Sequence, residues 1–151
     1  MRDQAIIVWD LATGGRRLRL ETTGLVTALA YSPDGSLLAS ANGFDGSVRI
    51  WDPAAGRLVC SIGSRATSRN PMAFAPGGRL LATADDDGTV KIWSVATGRL
   101  VASLDGRADF LRGVAFSPDG RTLAAIGSDD DVRLWDAAEV IGDETDHPAD
   151  R

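Results

Sequence analysis

The sequence predicts an all-β chain built from copies of one small antiparallel sheet stacked face to face, and three observations predict it. Trp9, Trp51, Trp93 and Trp135 stand 42 residues apart, and Asp10, Asp52 and Asp136 follow three of them, with Ser94 after Trp93. A Ser-Pro-Asp-Gly turn at 32–35 returns as Ala-Pro-Gly-Gly at 75–78 and as Ser-Pro-Asp-Gly at 117–120. Short apolar runs alternate with Gly, Pro, Asp and Ser clusters, the pattern of strands joined by tight turns. A fixed period of this length means that one supersecondary unit is copied, each copy burying the face of the next.

Within a unit, Ser-Pro-Asp-Gly places Pro where its fixed φ suits the second turn position and Gly at the fourth, so it joins 26–31 to 37–41. A turn at 42–46 leads into 48–51, and a turn around Gly56 leads into 58–62, which makes a meander of four antiparallel strands. Alternation in the third strand puts Val48 and Ile50 on one face and Arg49 and Trp51 on the other. Both faces carry groups too large to leave in water, so neighbouring sheets must cover both. By the same pattern, 6–9 and 17–20 are the last two strands of a partial unit spanning 5–20. Complete units follow at about 25–62 and 68–104, and three strands of another at 111–136. Helix is poorly supported. Residues 137–151 show only a hint of a fourth strand at Val140 and Ile141 and are expected to form a flexible acidic tail.

A composition of 44% hydrophobic and 25% charged residues is that of a folded globular chain of about one domain. Of the net charge of −5, residues 137–151 carry −4, which leaves the repeats near neutral. The basic residues are dispersed, and all but Lys91 are Arg. Without a basic stripe there is little to grip phosphates, so nucleic acid is not an expected partner. No apolar run approaches the roughly 20 residues that cross a bilayer, and no export signal is recognisable. The single cysteine, Cys60, is expected to be a small core residue without a disulfide, in keeping with a reducing, cytoplasmic setting.

Catalytic chemistry finds little support. His147, the sole histidine, lies between Asp146 and Pro148 in the tail, and Lys91, the sole lysine, sits in a strand rather than a phosphate loop. One Cys and one His do not make a structural zinc site. The runs Asp85-Asp86-Asp87 and Asp129-Asp130-Asp131 lack the alternating ligands and distal acid of a calcium loop and read as hairpin caps. No enzyme activity, cofactor or metal is expected. The tryptophans read as packing residues, while Phe44 and Phe110, in or beside turns, fit either the core or an interface.

The period, the Ser-Pro-Asp-Gly turn, the Asp-Gly before the third strand (Asp45-Gly46, Asp87-Gly88) and the closing Trp-Asp occur in order over about residues 3–136, and together they resemble the WD-repeat β-propeller family. That resemblance implies closure of the sheets into a ring of blades. It also implies a buried polar network of Trp51, Ser40 and Asp45 in one blade and Trp93, Thr83 and Asp87 in the next. Trp135 and Asp129 match in the third, where Ala125 takes the hydroxyl position. The histidine that completes such a network is absent, with Thr22, Arg65 and Arg107 at the corresponding places. The rim that docks peptides or proteins in the family would here carry Phe44, Asp86 and Ser128, with Arg65, Arg69, Arg107 and Phe110 nearby.

Propellers use about four to eight blades and the chain supplies about three, so the fold expected is an incomplete β-propeller. Three arrangements would cover its ends. The chain is a segment of a larger propeller; or two copies associate, with 17–20 of one completing the terminal sheet of the other in a ring of about six blades that displaces 6–9; or the chain is an open solenoid. The function expected is a non-catalytic protein-interaction scaffold with a protein or peptide partner, or further blades, and no membrane. The alternative is a C-terminal sensor or regulatory segment of a larger signalling protein or enzyme.

Overall fold

Turn chemistry fixes where each strand begins. In the first Ser-Pro-Asp-Gly turn, Gly35 N–H donates to the Ser32 carbonyl at 2.8 Å, and Leu37 N–H donates to the Ser32 hydroxyl oxygen at 2.9 Å. Asp34 receives the Ser32 hydroxyl at 2.6 Å and the Ser36 N–H at 3.0 Å. Ala75 and Gly77 remove both side chains from the second copy, yet Gly78 N–H still reaches the Ala75 carbonyl at 2.8 Å. Pro and Gly at their fixed places therefore suffice for the backbone, and Ser and Asp reinforce it.

A computed structural model describes residues 4–63 and 71–141, which hold thirteen strands and one short helix. β1 (Ala5–Trp9) and β2 (Arg16–Glu21) form a two-stranded sheet. β3 (Val26–Tyr31), β4 (Leu38–Asn42), β5 (Ser47–Asp52) and β6 (Arg57–Gly63) form the second sheet. The third holds β7 (Met72–Phe74), β8 (Leu80–Ala84), β9 (Thr89–Ser94) and β10 (Leu100–Asp105), and the fourth holds β11 (Leu111–Phe116), β12 (Thr122–Gly127) and β13 (Val132–Asp136). Every pairing is antiparallel between strands adjacent in sequence. The fold is thus all-β, with antiparallel four-stranded sheets of the kind that make propeller blades.

Successive sheets meet by one rule. Each has an aliphatic face, carrying Val48 and Ile50 in the second sheet, and a tryptophan face, carrying Trp51. The aliphatic face of the second sheet packs on Phe74, Leu81 and Trp93 of the third. That of the third sheet, with Val90 and Ile92, packs on Leu123, Ala125 and Trp135 of the fourth. In the same way Ile6 and Leu20 of the first sheet lie on Leu38 and Trp51 of the second. Val48, Ile50, Val90 and Ile92 are 0% exposed, and burying such side chains is worth about 1.5–3 kcal/mol each.

The rule breaks at both ends. Val132 and Leu134, one period beyond Val90 and Ile92, are 63% and 67% exposed, and Trp9 is 59% exposed where Trp51 and Trp93 are 6% and 7%. β13 is an edge strand, with no fourth strand beside it among the described residues. Leu29 and Tyr31 of β3 are also half exposed, because the first sheet has only two strands to lay against them.

Residues 137–141 correct the expectation of a flexible tail beginning at 137. They form α1 (Ala137–Ile141), whose Ala138 N–H is capped by the Asp136 carboxylate at 2.9 Å and whose Val140 and Ile141 pack into the cluster between the third and fourth sheets. Residues 142–151, with His147, lie outside the described residues. No helix in the described residues is long and apolar enough to cross a membrane.

Gly88 and Asp130 occupy the same turn position in successive repeats, with φ of +77° and +65°. A Cβ on Gly88 would meet the Ala108 carbonyl oxygen at 1.9 Å, because the connection from β10 to β11 crosses this turn and Gly106 N–H donates to the Gly88 carbonyl at 2.9 Å. Gly88→Ala should therefore cost more than about 2 kcal/mol in denaturant unfolding. Asp130→Gly relieves a left-handed aspartate and loses only a surface pair with Arg112, so stability should stay level or rise by up to about 1 kcal/mol.

Candidate functional site

In β5, β9 and β13 a cation stands two residues before the tryptophan, and the two side chains do different work. Trp51 donates its indole N–H to the Ser40 hydroxyl at 2.8 Å, and Trp93 donates to the Thr83 hydroxyl at 3.0 Å. At Trp135 the matching residue is Ala125, which has no hydroxyl. A buried indole N–H left without an acceptor costs about 1–3 kcal/mol, so the hydroxyl and the ring act as a unit.

The cations tie down turns and the loops entering each sheet. Arg49 donates to the Thr23 hydroxyl at 2.7 Å and its carbonyl at 3.3 Å. Arg133 pairs with Asp129 and donates to the Arg107 carbonyl at 2.9 Å. Lys91 pairs with Asp85, whose side chain is almost fully buried and which also accepts the Thr83 hydroxyl at 3.2 Å. Of the three places where a histidine is missing, Thr22 buries a hydroxyl without a partner, Arg107 serves through its main chain, and Arg65 lies outside the described residues.

Asp85, rather than Asp87, is the carboxylate joined to Thr83 and Lys91 inside the sheet. Asp87 is largely exposed and accepts the Thr89 N–H at 3.0 Å and hydroxyl at 2.5 Å, with Lys91 at 3.7 Å. Asp45 does the same for Ser47, at 2.9 and 2.6 Å, and Asp129 accepts the Asp131 N–H at 3.3 Å beside its pair with Arg133. The signal for Asp85 is in the spacing. Ser40 and Trp51 are 11 residues apart but Thr83 and Trp93 only 10, so Asn42 aligns with Asp85. Asn42 is buried too, and its amide donates to the Thr23 carbonyl at 2.6 Å.

These bonds shift the carboxylates. The Ser47 and Thr89 hydroxyls hold Asp45 and Asp87 below the ordinary value, and the Arg133 guanidinium lowers Asp129 to about 2. Asp34 is lowered to about 2, chiefly by the Ser32 hydroxyl. Burial raises the Cys60 thiol, whose Sγ lies 3.6 Å from the Val95 carbonyl. Among the described residues no group of three or more His, Cys, Asp or Glu is placed to hold a metal ion.

Above this layer the turns gather a mixed surface. Phe44 lies in the β4–β5 turn, is 76% exposed and donates its N–H to the Asn42 side chain at 3.0 Å, while its neighbour Gly43 donates its N–H to the Leu25 carbonyl at 2.8 Å. One repeat pair further on, Ser128 N–H donates to the Phe110 carbonyl at 3.0 Å in the same way. The Arg112 guanidinium stands 5.7 Å from the Phe110 ring and reaches Asp130 at 2.8 Å. Phe110, Ser128 and Arg107 thus come together around the fourth sheet, Asp86 lies in the β8–β9 turn, Phe44 sits with Leu25 over the second sheet, and Arg65 and Arg69 lie outside the described residues. Leu25 and Arg112 lie beside these turns and were not singled out by the sequence. Leu25 holds the repeat position of Phe110, which an alignment through the strand registers reveals.

Comparison with known proteins agrees with this architecture. The family described as WD domain, G-beta repeat matches residues 16–52, 72–94 and 98–136, well over half of the chain. The small ribosomal subunit protein RACK1y of Oryza sativa subsp. japonica is 35% identical over 85 residues, 56% of this chain and 25% of that protein. An uncharacterised WD repeat-containing protein of Synechocystis is 33% identical over 70 residues, 44% of this chain and 20% of its own length. Coronin-7 of Mus musculus is 39% identical over 62 residues, 40% of this chain and 7% of that protein. The matches span a quarter or less of each relative.

Thr83→Val keeps the shape of a fully buried residue but removes the acceptor for Trp93, and should cost about 1–3 kcal/mol in denaturant unfolding. Acid titration tests the carboxylates. Asp34 and Asp129 bind protons more weakly in the folded chain than at the ordinary 3.8, so their contribution is complete above that value and fades as pH falls toward about 2. Asp34→Asn and Asp129→Asn should each flatten the fall in thermal midpoint across that window.

Proposed function

The chain belongs to the WD-repeat family, and from that premise we propose that it is a protein-interaction scaffold without chemistry of its own, whose turn-lined rim docks a polypeptide. The observation that carries this reading is the exposure of Leu25, Phe44 and Phe110 on turns held rigidly above a stacked core. Rim aromatics beside Arg107 and Arg112 combine apolar area with guanidinium donors, a combination enriched where proteins meet. The side chains of Asp85, Asp87 and Asp129 are engaged with Lys91, Thr89 and Arg133, which favours structural over catalytic roles for them. Half-buried Cys60, without a disulfide, fits a cytoplasmic setting.

A second reading is favoured by coverage: because the matched segments are a quarter or less of each relative, the chain also fits the role of a sensor or regulatory segment acting within a larger assembly. RACK1y is named as a ribosomal-subunit protein, and a docking role of that general kind for this rim requires only a protein surface to grip.

Immobilised chain should retain a specific protein partner, and the pair Phe44→Ser with Phe110→Ala should reduce capture by roughly tenfold or more while leaving the melting curve within a few degrees of wild type. Equal capture by the double variant, at equal stability, overturns the rim assignment.

A further inference from the structure

The two ends of the array are opposite halves of the junction used inside it. At each internal junction an aliphatic face, with Val48 and Ile50 or Val90 and Ile92, meets a tryptophan face carrying Trp93 or Trp135. Among the described residues, the C-terminal sheet presents an uncovered aliphatic face at Val132 and Leu134, and the N-terminal sheet presents an uncovered tryptophan face at Trp9. Charge follows the same division. Residues 4–21 carry Arg16, Arg17 and Arg19 against Asp10 and Glu21, net +1, whereas residues 127–141 carry four Asp and Glu139 against Arg133, net −4.

We propose that two copies of this chain join head to tail, the Val132 and Leu134 face of one seating on the Trp9 face of the other. The contact repeats the tryptophan half of a packing that the chain makes within itself, since the two-stranded first sheet offers Trp9 but no counterparts of Phe74 and Leu81, and its charges attract. It is heterologous, so each copy keeps one face available for a ring or a longer stack. β1 stays in place, because Ile6 is buried and five paired positions hold β1 to β2. An exchange in which β2 of one copy completes the fourth sheet of the other would instead displace β1 and cover Leu29 and Tyr31. This inference does not rest on the rim reading, since it is carried by Trp9, Val132 and Leu134.

Sedimentation velocity of the full 151-residue chain over a range of concentrations tests it. Wild type should associate, and added salt should weaken the association. Leu134→Arg and Trp9→Arg should each weaken it by roughly tenfold or more, and both replace exposed side chains, so their melting curves should match wild type. An equimolar mixture of the two variants retains one intact face of each kind and should form a 1:1 heterodimer, whereas Tyr31→Arg should associate like wild type. A wild-type chain that stays monomeric overturns the proposal and leaves the ends to blades from another protein. A variant mixture that remains monomeric overturns the head-to-tail pairing, and undiminished self-association of either single variant overturns it in favour of a two-fold symmetric contact. Loss of association in Tyr31→Arg but not in Trp9→Arg overturns it in favour of strand exchange.

Discussion

The contact between one sheet's aliphatic face and the next sheet's tryptophan face is the constraint on which everything else rests. A four-stranded sheet with apolar groups on both sides has no stable existence alone, and each buried aliphatic side chain at a junction contributes on the order of 1.5–3 kcal/mol. Because every sheet touches only its neighbours, stability accumulates junction by junction along the array. The second and third sheets have partners on both sides, and their Val48, Ile50, Val90 and Ile92 vanish from the surface. The terminal sheets have a partner on one side only, which is why identical sequence positions behave oppositely at the ends.

The polar layer is subordinate to that contact but sets its alignment. An indole lying on an apolar neighbour must send its N–H somewhere, and the hydroxyl at Ser40 or Thr83 lies across the strand pair to take it. This fixes the ring in one orientation, so the next sheet meets a defined surface. The cation two residues earlier reaches the other way, to Thr23, to Asp85 or to the Arg107 carbonyl, and holds the turns and entry loops against the sheet. Rim geometry is therefore coupled to core geometry through a single strand, with Arg49, Lys91 and Arg133 linking the two layers.

Much of this could be read in the sequence because strand repeats are periodic in the quantity that matters. Tryptophan spacing and the Ser-Pro-Asp-Gly turn located the sheets, their meander order and the incomplete units at both ends. Alignment through tryptophan alone hides the extra residue in the β4–β5 turn, and with it the correspondence of Asn42 with Asp85. α1 was missed although its signal is present: Asp136 and Glu139 stand three apart, a carboxylate at the cap and another in the first turn. That segment reads as tail only if its acids are counted as charge and not as caps. A lone leucine before a strand carries no sequence signal of exposure, and the Gly43 N–H bonded to the Leu25 carbonyl shows it lying beside the turn of Phe44.

Exposed apolar groups occur in two settings, and their surroundings separate the roles. Among the turns, Phe110 is flanked by Arg112, which pairs with Asp130, and its carbonyl is bonded to Ser128 N–H, so its exposed ring stands among polar groups. At the C-terminal end, Val132 and Leu134 are alternate residues of β13, an edge strand among the described residues, and form an apolar strip of the kind that recruits another sheet. The acids at 129–131 and Asp136 bracket that strip at both of its ends and repel a like-charged copy approaching with the same face. The first sheet, net +1 over residues 4–21, meets no such repulsion. The chain thus discourages symmetric edge-to-edge pairing while leaving the face that its own internal junctions show how to fill.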